Sequence, residues 1–251
     1  MDMVLCDGER LLKPQAENFE NKKTINIALY VLIVILTALV IFFYLFRLTP
    51  VSGESMENTI QDGQSVFMMQ RGFTIDYNDV ITVHIKTKTD DRVLIKRAIA
   101  FEGDKVLFVQ SQSGKYVDLY LCKSGESSFK KSDEPYIKEK MLAEHFHLNE
   151  KNYGLLGYIP EDQITSIDLT KTPADNQTKI IQAELEANCL TVEEDSVFFL
   201  GDNRNNSSDS RVYGTKKLSE VNGKMLSVIE KNSMAEKFLW FLFSYHSQQG
   251  E

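Results

Sequence analysis

The chain of 251 residues has few of the residue types that build metal sites, disulfide frameworks or nucleic-acid surfaces. Its three cysteines, Cys6, Cys122 and Cys189, lie far apart, and neither they nor the four scattered histidines have the spacing of a zinc site. Lys and Arg total 28 against 36 for Asp and Glu, and this excess of negative charge gives no broad attraction to phosphates. We therefore expect no metal, no cofactor and no nucleic-acid partner. Whether Cys122 and Cys189 pair stays open, because it depends on their separation in space.

A long apolar run near the N-terminus is the strongest compositional feature. Residues 27–46 read IALYVLIVILTALVIFFYLF, in which only Thr37 is clearly polar. As a helix this run would be about 30 Å long, the thickness of a bilayer's hydrocarbon core. A buried core helix would carry a polar face, and a cleaved signal peptide would have a shorter apolar region followed by small residues. We predict a retained membrane anchor over residues 25–47.

Basic residues on the two sides of this run predict its orientation. Only Arg47 follows it closely, whereas four basic residues precede it: Arg10, Lys13, Lys22 and Lys23. Positive charge favours the cytoplasmic side of a membrane. The sequence therefore predicts a cytoplasmic tail at residues 1–24 and an extracytoplasmic domain at residues 48–251.

The rest of the chain has the pattern of a mainly β protein. Short β-branched or aromatic runs alternate with turn-like segments and predict strands at 65–69, 80–86, 92–100, 105–110, 196–200 and 223–229. Residues 112–189 are richer in Ser, Gly and Lys, with one helix-compatible patch at 135–147, and we interpret them as a smaller inserted lobe. The core sheet should then take strands from both sides of the insertion.

Three short segments carry candidate chemistry: SGESMENTI at 52–60, IKRAIAFEGD at 95–104 and FLGDNRNNSSDSRVYG at 199–214. None of them contains a histidine. A serine hydroxyl needs a neighbouring base to take its proton as it attacks. Lys96 lies within an apolar run, and a lysine can serve as that base if burial lowers its pKa toward neutrality. Ser55 and Lys96 are therefore candidates for a nucleophile and its base.

Each residue by itself also has an ordinary interpretation. A serine beside glycine is usually part of a turn, and a lone lysine on a strand is usually solvated. The acidic segment could be a surface loop held by an ion pair between Asp209 and Arg211. It is the combination of the three segments that favours catalysis.

Together the segments resemble the motifs of bacterial type I signal peptidases, the leader peptidase family of serine proteases with a Ser/Lys dyad. These motifs are SGxSMxPT, KRVxGxPGD and GDNRxxSxDSRxxG. The third is matched at every fixed position from Gly201 to Gly214. In the first, Asn58 replaces the usual proline, and in the second, Ala98, Ala100 and Glu102 replace valine, glycine and proline.

The resemblance implies a membrane-anchored endopeptidase that removes signal peptides from exported preproteins. It implies Ser55 as the nucleophile, neutral Lys96 as the general base and Ser207 as the residue that orients the lysine amine. It also implies that three charged residues support the site: Asp202, Asp209 and Arg211. The backbone N–H of Ser55 would stabilise the oxyanion, and Gly53 stands where some members add a serine hydroxyl. The expected partners are such preproteins and the lipid bilayer.

Two other functions remain as alternatives. Self-cleaving repressors also combine a serine with a lysine about forty residues later, but they carry a DNA-binding domain where this chain has its apolar run. A non-catalytic or client-restricted assembly factor for surface proteins could keep the same fold.

A second apolar segment, FLWFLF at residues 238–243, is too short to span a membrane. The sequence leaves open whether it forms a terminal helix docked on the core or whether Trp240 and its neighbours enter the membrane interface.

Overall fold

The computed structural model describes residues 8–88, 91–137, 139–146 and 154–247, with side chains described from residue 22 to residue 243 in those ranges. The chain divides into two units between Leu45 and Phe46. Cys6 and part of the predicted tail lie outside the described residues.

The described part of the first unit is helix α1 at Gly8–Leu45. Its segment Lys22–Leu45 is 24 residues long and apolar enough to cross a membrane, and none of the residues in its most apolar part is buried. The hydroxyl of Thr37 donates to the carbonyl of Ile33 at 2.8 Å, so the polar group inside the run is satisfied within the helix. The helix ends two residues before the predicted end of the anchor, because Phe46 and Arg47 pair with Met69 and Met68 in a sheet. Residues 8–24 of the predicted tail continue the same helix.

The second unit contains strands β1 to β13 and helices α2 to α5. The strands are, in order, Phe46–Pro50, Ser65–Met69, Val80–Lys86, Asp91–Phe101, Lys105–Gln110, Tyr116–Cys122, Lys130–Lys131, Met141–Leu142, Leu155–Leu156, Leu190–Thr191, Ser196–Leu200, Lys216–Lys217 and Val221–Ile229. The helices are α2 at Glu161–Ser166, α3 at Asn176–Asn188, α4 at Ser210–Tyr213 and α5 at Met234–Ser247, with 3₁₀ turns at Ala143–His145 and Leu218–Glu220. The mainly β prediction is confirmed.

Among the described residues, a seven-stranded antiparallel sheet has the order β1-β2-β13-β3-β4-β11-β12. Strands β11 and β13, which follow the insertion, pair with strands that precede it, as the sequence predicts. The predicted bounds of β2, β3, β5 and β11 match those observed, because each run is bounded by clear turn residues.

A second sheet has the order β10-β5-β6-β7, with β8 beside β6 and β9 parallel to β5. Alternate residues of β5 face opposite sides. Val106 and Phe108 pack with Phe198 and Leu200 of the first sheet, whereas Leu107 and Val109 pack in the cluster that includes residues of α2 and α3. The second sheet is thus a middle layer that shares a core with the first sheet.

The insertion belongs to the compact unit of residues 46–251, and the second sheet takes β5 from before residue 112 and shares an apolar core with the main sheet. The insertion differs from the sequence prediction in its local structure. Within the described part of residues 135–147 there is no α-helix; strand β8 and a 3₁₀ turn lie there. The helices form later, and α3 begins where the side chain of Asp175 accepts the Thr178 N–H at 2.9 Å.

Cys122 and Cys189 are both free thiols. The Cys122 thiol donates to the carbonyl of Glu126 at 3.3 Å, and the Cys189 thiol donates to that of Glu186 at 3.5 Å. No disulfide therefore joins the two described cysteines.

Candidate active site

The candidate nucleophile lies in the loop between β1 and β2. Val51, Met56 and Ile60 are buried and fix this loop on the core, while Ser55 is only half-buried. The amides of Thr59 and Ile60 both donate to the carbonyl of Met56, so the chain makes a tight turn directly after Ser55. The loop therefore holds the serine hydroxyl at a surface that a substrate can reach.

The backbone conformation at Asn58 explains why this residue is not the usual proline of the first motif. Its φ is 103°, a value that the proline ring cannot adopt because it holds φ near −65°. Asparagine tolerates positive φ better than most residues. This turn therefore has a backbone conformation that requires the proline to be absent.

The candidate base lies on β4. Lys96 is 2% exposed, and its Nζ is 2.6 Å from Ser55 Oγ and 2.8 Å from the carbonyl oxygen of Ile95. Burial lowers the pKa of Lys96 to about 8, although the nearby carboxylate of Asp209 acts in the opposite direction. The structure thus brings together a hydroxyl and a readily deprotonated amine that are 41 residues apart in the sequence.

The third motif begins where β11 ends, beside β4. Leu200 pairs with Arg97, so Gly201 and the following residues start next to the base. A side chain at Gly201 would overlap both Ser207 Oγ and the carbonyl oxygen of Ser55. Glycine is needed here because the nucleophile loop and the third motif approach the same point of the backbone.

Asp202 connects the motif to both other segments. Arg97 donates to it through Nε at 2.8 Å and through Nη2 at 2.5 Å, and Thr59 of the nucleophile loop also donates to it. Arg97 is further held by the carbonyl of Asn78 at 2.7 Å and lies 4.0 Å from the ring of Tyr136. This buried bidentate pair joins β4, β11 and the Ser55 loop.

Asp209 organises the end of the motif. Its carboxylate caps α4, accepts the Gly201 N–H at 3.0 Å and pairs with Arg211 at 2.9 Å. Burial by itself would raise the pKa of Asp209, but Arg211 and these hydrogen bonds hold the pKa below its usual value. Arg211 also donates to the carbonyls of Arg204 and Ser207 and so fixes the loop that carries Ser207.

Ser207 has an unusual environment. Its Oγ is buried and has no hydrogen-bond partner of good geometry among the described residues. It is close enough to Asp209 to help lower that carboxyl's pKa, and it lies over Gly201. No direct hydrogen bond joins it to Lys96 within the described chain.

Sequence reasoning missed three supporting residues. Arg204, in the third motif, is buried, donates to the carbonyl of Gly201 at 2.9 Å and pairs with Glu134 of the insertion. The backbone N–H of Asn203 donates to the carbonyl of Ser55 at 3.1 Å. The fixed positions of the motif could have indicated Asn203 and Arg204, but nothing in the sequence indicates Glu134.

A family profile described as "Signal peptidase, peptidase S26" matches residues 24–229. This chain belongs to the signal peptidase family. Residues 24–229 include the apolar part of α1 and all three motifs, so the match covers the anchor, the candidate residues Ser55 and Lys96, and the insertion together. The chain is accordingly a serine endopeptidase with an N-terminal membrane anchor.

Curated members of the family are similar over most of their length. Signal peptidase I of Streptococcus pneumoniae is 26% identical over 78% of this chain and 87% of its own. Signal peptidase IB of Staphylococcus aureus is 30% identical over 77% of this chain and 85% of its own. A crystal structure of a signal peptidase I from Enterococcus faecalis V583 covers 61% of this chain and 97% of its own, with 22% identity and a TM-score of 0.33.

Proposed function

We propose that this protein removes signal peptides from exported preproteins, with Ser55 as the nucleophile and Lys96 as its general base. The observation that carries the proposal is the 2.6 Å separation of Lys96 Nζ and Ser55 Oγ, in a setting that buries the amine and lowers its pKa. Membership of the signal peptidase family supports the choice of substrate. A non-catalytic assembly factor would have no need of a buried lysine against a reachable serine.

The chemistry follows from these two groups. Neutral Lys96 takes the proton of Ser55 Oγ as the oxygen attacks the scissile carbonyl carbon. The ammonium then gives that proton to the leaving amine, and an ester to Ser55 remains. Water hydrolyses the ester with Lys96 again acting as base, which releases the signal peptide and restores the serine.

The backbone N–H of Ser55 itself is proposed to donate a hydrogen bond to the oxyanion that forms from the scissile carbonyl. This N–H makes no hydrogen bond to the rest of the described chain. Gly53 has no side chain to add a second donor, and its own N–H is bonded to the Asp62 carboxylate at 2.8 Å. The peptide group that contains the Ser55 N–H is held through its carbonyl, that of Glu54, which accepts a hydrogen bond from Asn203 Nδ2 at 3.2 Å and thereby helps to fix the direction of the Ser55 N–H.

Ser207 is proposed to orient the base. The buried Ser207 hydroxyl has no hydrogen bond of good geometry, and by turning from the nearby Asp209 carboxylate it can donate to the neutral Lys96 amine. A hydrogen bond donated to the neutral amine favours the neutral form. Asp202, Asp209 and Arg211 support the site through the ion pairs that hold the Ser55 and Ser207 loops.

The function can be tested with the full-length protein in detergent and a purified preprotein that has small residues, in the Ala-x-Ala pattern, at its cleavage site. We expect one new N-terminus directly after the second small residue, identified by mass spectrometry. A preprotein with both small residues changed to lysine is the control and should remain intact. Cleavage at unrelated bonds in both substrates would contradict the proposal.

We also propose that residues 48–251 lie outside the cytoplasm. Four basic residues precede the apolar run and one follows it, which favours a cytoplasmic N-terminus. Protease added to intact protoplasts should digest this domain, while a cytoplasmic marker protein remains whole. Digestion that requires lysis of the protoplasts would show the opposite orientation.

A further inference from the structure

Helix α5 docks on the main sheet through the face that carries Glu236, Trp240 and Phe243. The carboxylate of Glu236 accepts the Ser65 hydroxyl hydrogen bond at 3.1 Å, and the Trp240 N–H donates to the same hydroxyl at 3.3 Å. One turn further on, the ring of Phe243 meets the ring of Phe67 edge to face at 6.4 Å. Residues 236, 240 and 243 share one helix face because they are separated by four and three positions.

The opposite face of α5 is apolar and exposed. Met234, Phe238 and Phe241 have the same four- and three-residue spacing and are 87%, 61% and 77% exposed. A helix packed on a soluble domain normally buries its apolar face and presents polar groups to water. Here the docked face contains the carboxylate and the indole N–H, while two phenylalanines point outward.

The docked end of α5 is tied to the point where the chain leaves the membrane anchor. Phe46 directly follows helix α1, whose segment Lys22–Leu45 is long and apolar enough to cross a membrane, and a chain that leaves such a span emerges at the membrane surface. The ring of Phe46 stacks on that of Phe67 at 5.3 Å, and Phe67 in turn contacts Phe243. With a rise of about 1.5 Å per residue, Phe238 and Phe241 lie within about 8 Å of Phe243 along the helix.

We propose that the face formed by Met234, Phe238 and Phe241 rests in the interfacial layer of the bilayer that holds the anchor. Aromatic and aliphatic side chains on one face of a short helix are typical of segments that lie in the membrane plane. Exposed Lys237 lies beside this face, where its ammonium group can reach the lipid headgroups. Trp240 packs on Ser65 and is not part of the lipid-facing set.

The single tryptophan of the chain allows a direct test in the full-length protein. Trp240→Phe removes it, and Phe241→Trp then places a reporter on the proposed face. The matched control adds Ile180→Trp instead, because Ile180 is also an exposed apolar residue on a helix, α3. Both proteins are reconstituted in phosphatidylcholine vesicles, with or without bromine on the acyl chains.

We expect brominated lipid to reduce the emission of the tryptophan introduced by Phe241→Trp by roughly twofold and to leave that introduced by Ile180→Trp unchanged. Aqueous acrylamide should quench them in the reverse order. Equal responses at the two positions would overturn the proposal. The protein can also be diluted in the membrane by adding more lipid. If protection from acrylamide then disappears, the proposal is overturned, because a second copy of the chain rather than lipid would cover this face.

A second measurement rests on the proposed function. The double variant Phe238→Gln, Phe241→Gln should cleave a preprotein bound to vesicles several-fold more slowly and a short soluble peptide in detergent at the wild-type rate. Ile180→Gln should match wild type with both substrates. If the double variant and wild type cleave the vesicle-bound substrate at equal rates, the membrane contact is contradicted. If wild type cleaves neither substrate, only the proposed function is contradicted.

Discussion

We expect Ser55→Ala to lower the rate of preprotein cleavage by at least about 10³-fold, because no other group then forms the covalent bond to the substrate. The fold should persist. Ser55 is only half-buried, and its loop is held by Met56, Ile60 and the Asn203 N–H rather than by the hydroxyl. The measurement is kcat/KM in detergent, together with circular dichroism and a thermal unfolding midpoint within a few degrees of wild type.

Ser52→Ala is the matched control for this variant. Ser52 lies in the same segment three residues earlier and is exposed. It should keep activity within a few-fold of wild type. Cleavage at a near wild-type rate by purified Ser55→Ala protein would show that another residue is the nucleophile.

The second large effect concerns the protonation of Lys96. Since only the neutral amine accepts the serine proton, kcat/KM should rise with pH through one ionisation near 8, the value to which burial lowers this pKa. Below that pH the rate should fall about tenfold for each unit, because the fraction of neutral amine falls in that proportion. Above it the rate should reach a plateau. A rise delayed until pH 10 would identify an unburied group as the base.

Two replacements separate charge from proton transfer. Lys96→Arg keeps a cation that does not deprotonate in this range, and Lys96→Met keeps the length of the side chain without any base. Both should lose activity by at least about 10²-fold at every pH. Lys86→Arg, on the exposed end of β3, is the control and should retain the wild-type profile. An active Lys96→Arg enzyme would exclude Lys96 as the base.

Ser207→Ala tests the orientation of the same amine. Loss of a hydrogen bond to the neutral form would raise the pKa of Lys96, so the pH profile should move to higher pH as the plateau falls about tenfold. Ser208→Ala removes an exposed neighbouring hydroxyl and should leave both unchanged. A lower plateau with an unmoved profile would indicate that Ser207 only supports the loop.

Local patterns predicted the strands well where burial alternates or where an apolar run ends at clear turns. They failed in the insertion. Strand β6 at Tyr116–Cys122 and helix α3 lie in a Ser-, Gly- and Lys-rich region; β6 pairs with β5, and α3 packs in the same apolar cluster as Leu107 and Val109 of β5. Propensity is a weak guide where a neighbouring layer supplies most of the stabilisation.

At the site, too, some features could be predicted from local sequence and others could not. Ser55, Lys96 and the third motif could be recognised because their residue types and spacing are specific. The ion pair of Arg204 with Glu134 could not, since nothing local relates residues 70 positions apart. Likewise, the apolar segment in α5 was visible in the sequence, but which of its aromatic rings face outward depends on the docking of Glu236 and Trp240 on Ser65.

The sequence by itself determined the membrane anchor, the main strands and the residues proposed to react, because hydrophobic length, alternation and motif chemistry are local properties. Only the tertiary structure decided that Lys96 is buried against Ser55 and that its pKa falls to about 8. It also decided that Gly201 lets two loops meet and that the insertion supports the site through Glu134. These features depend on burial and on contacts between distant segments, which arise only when the sheets pack together.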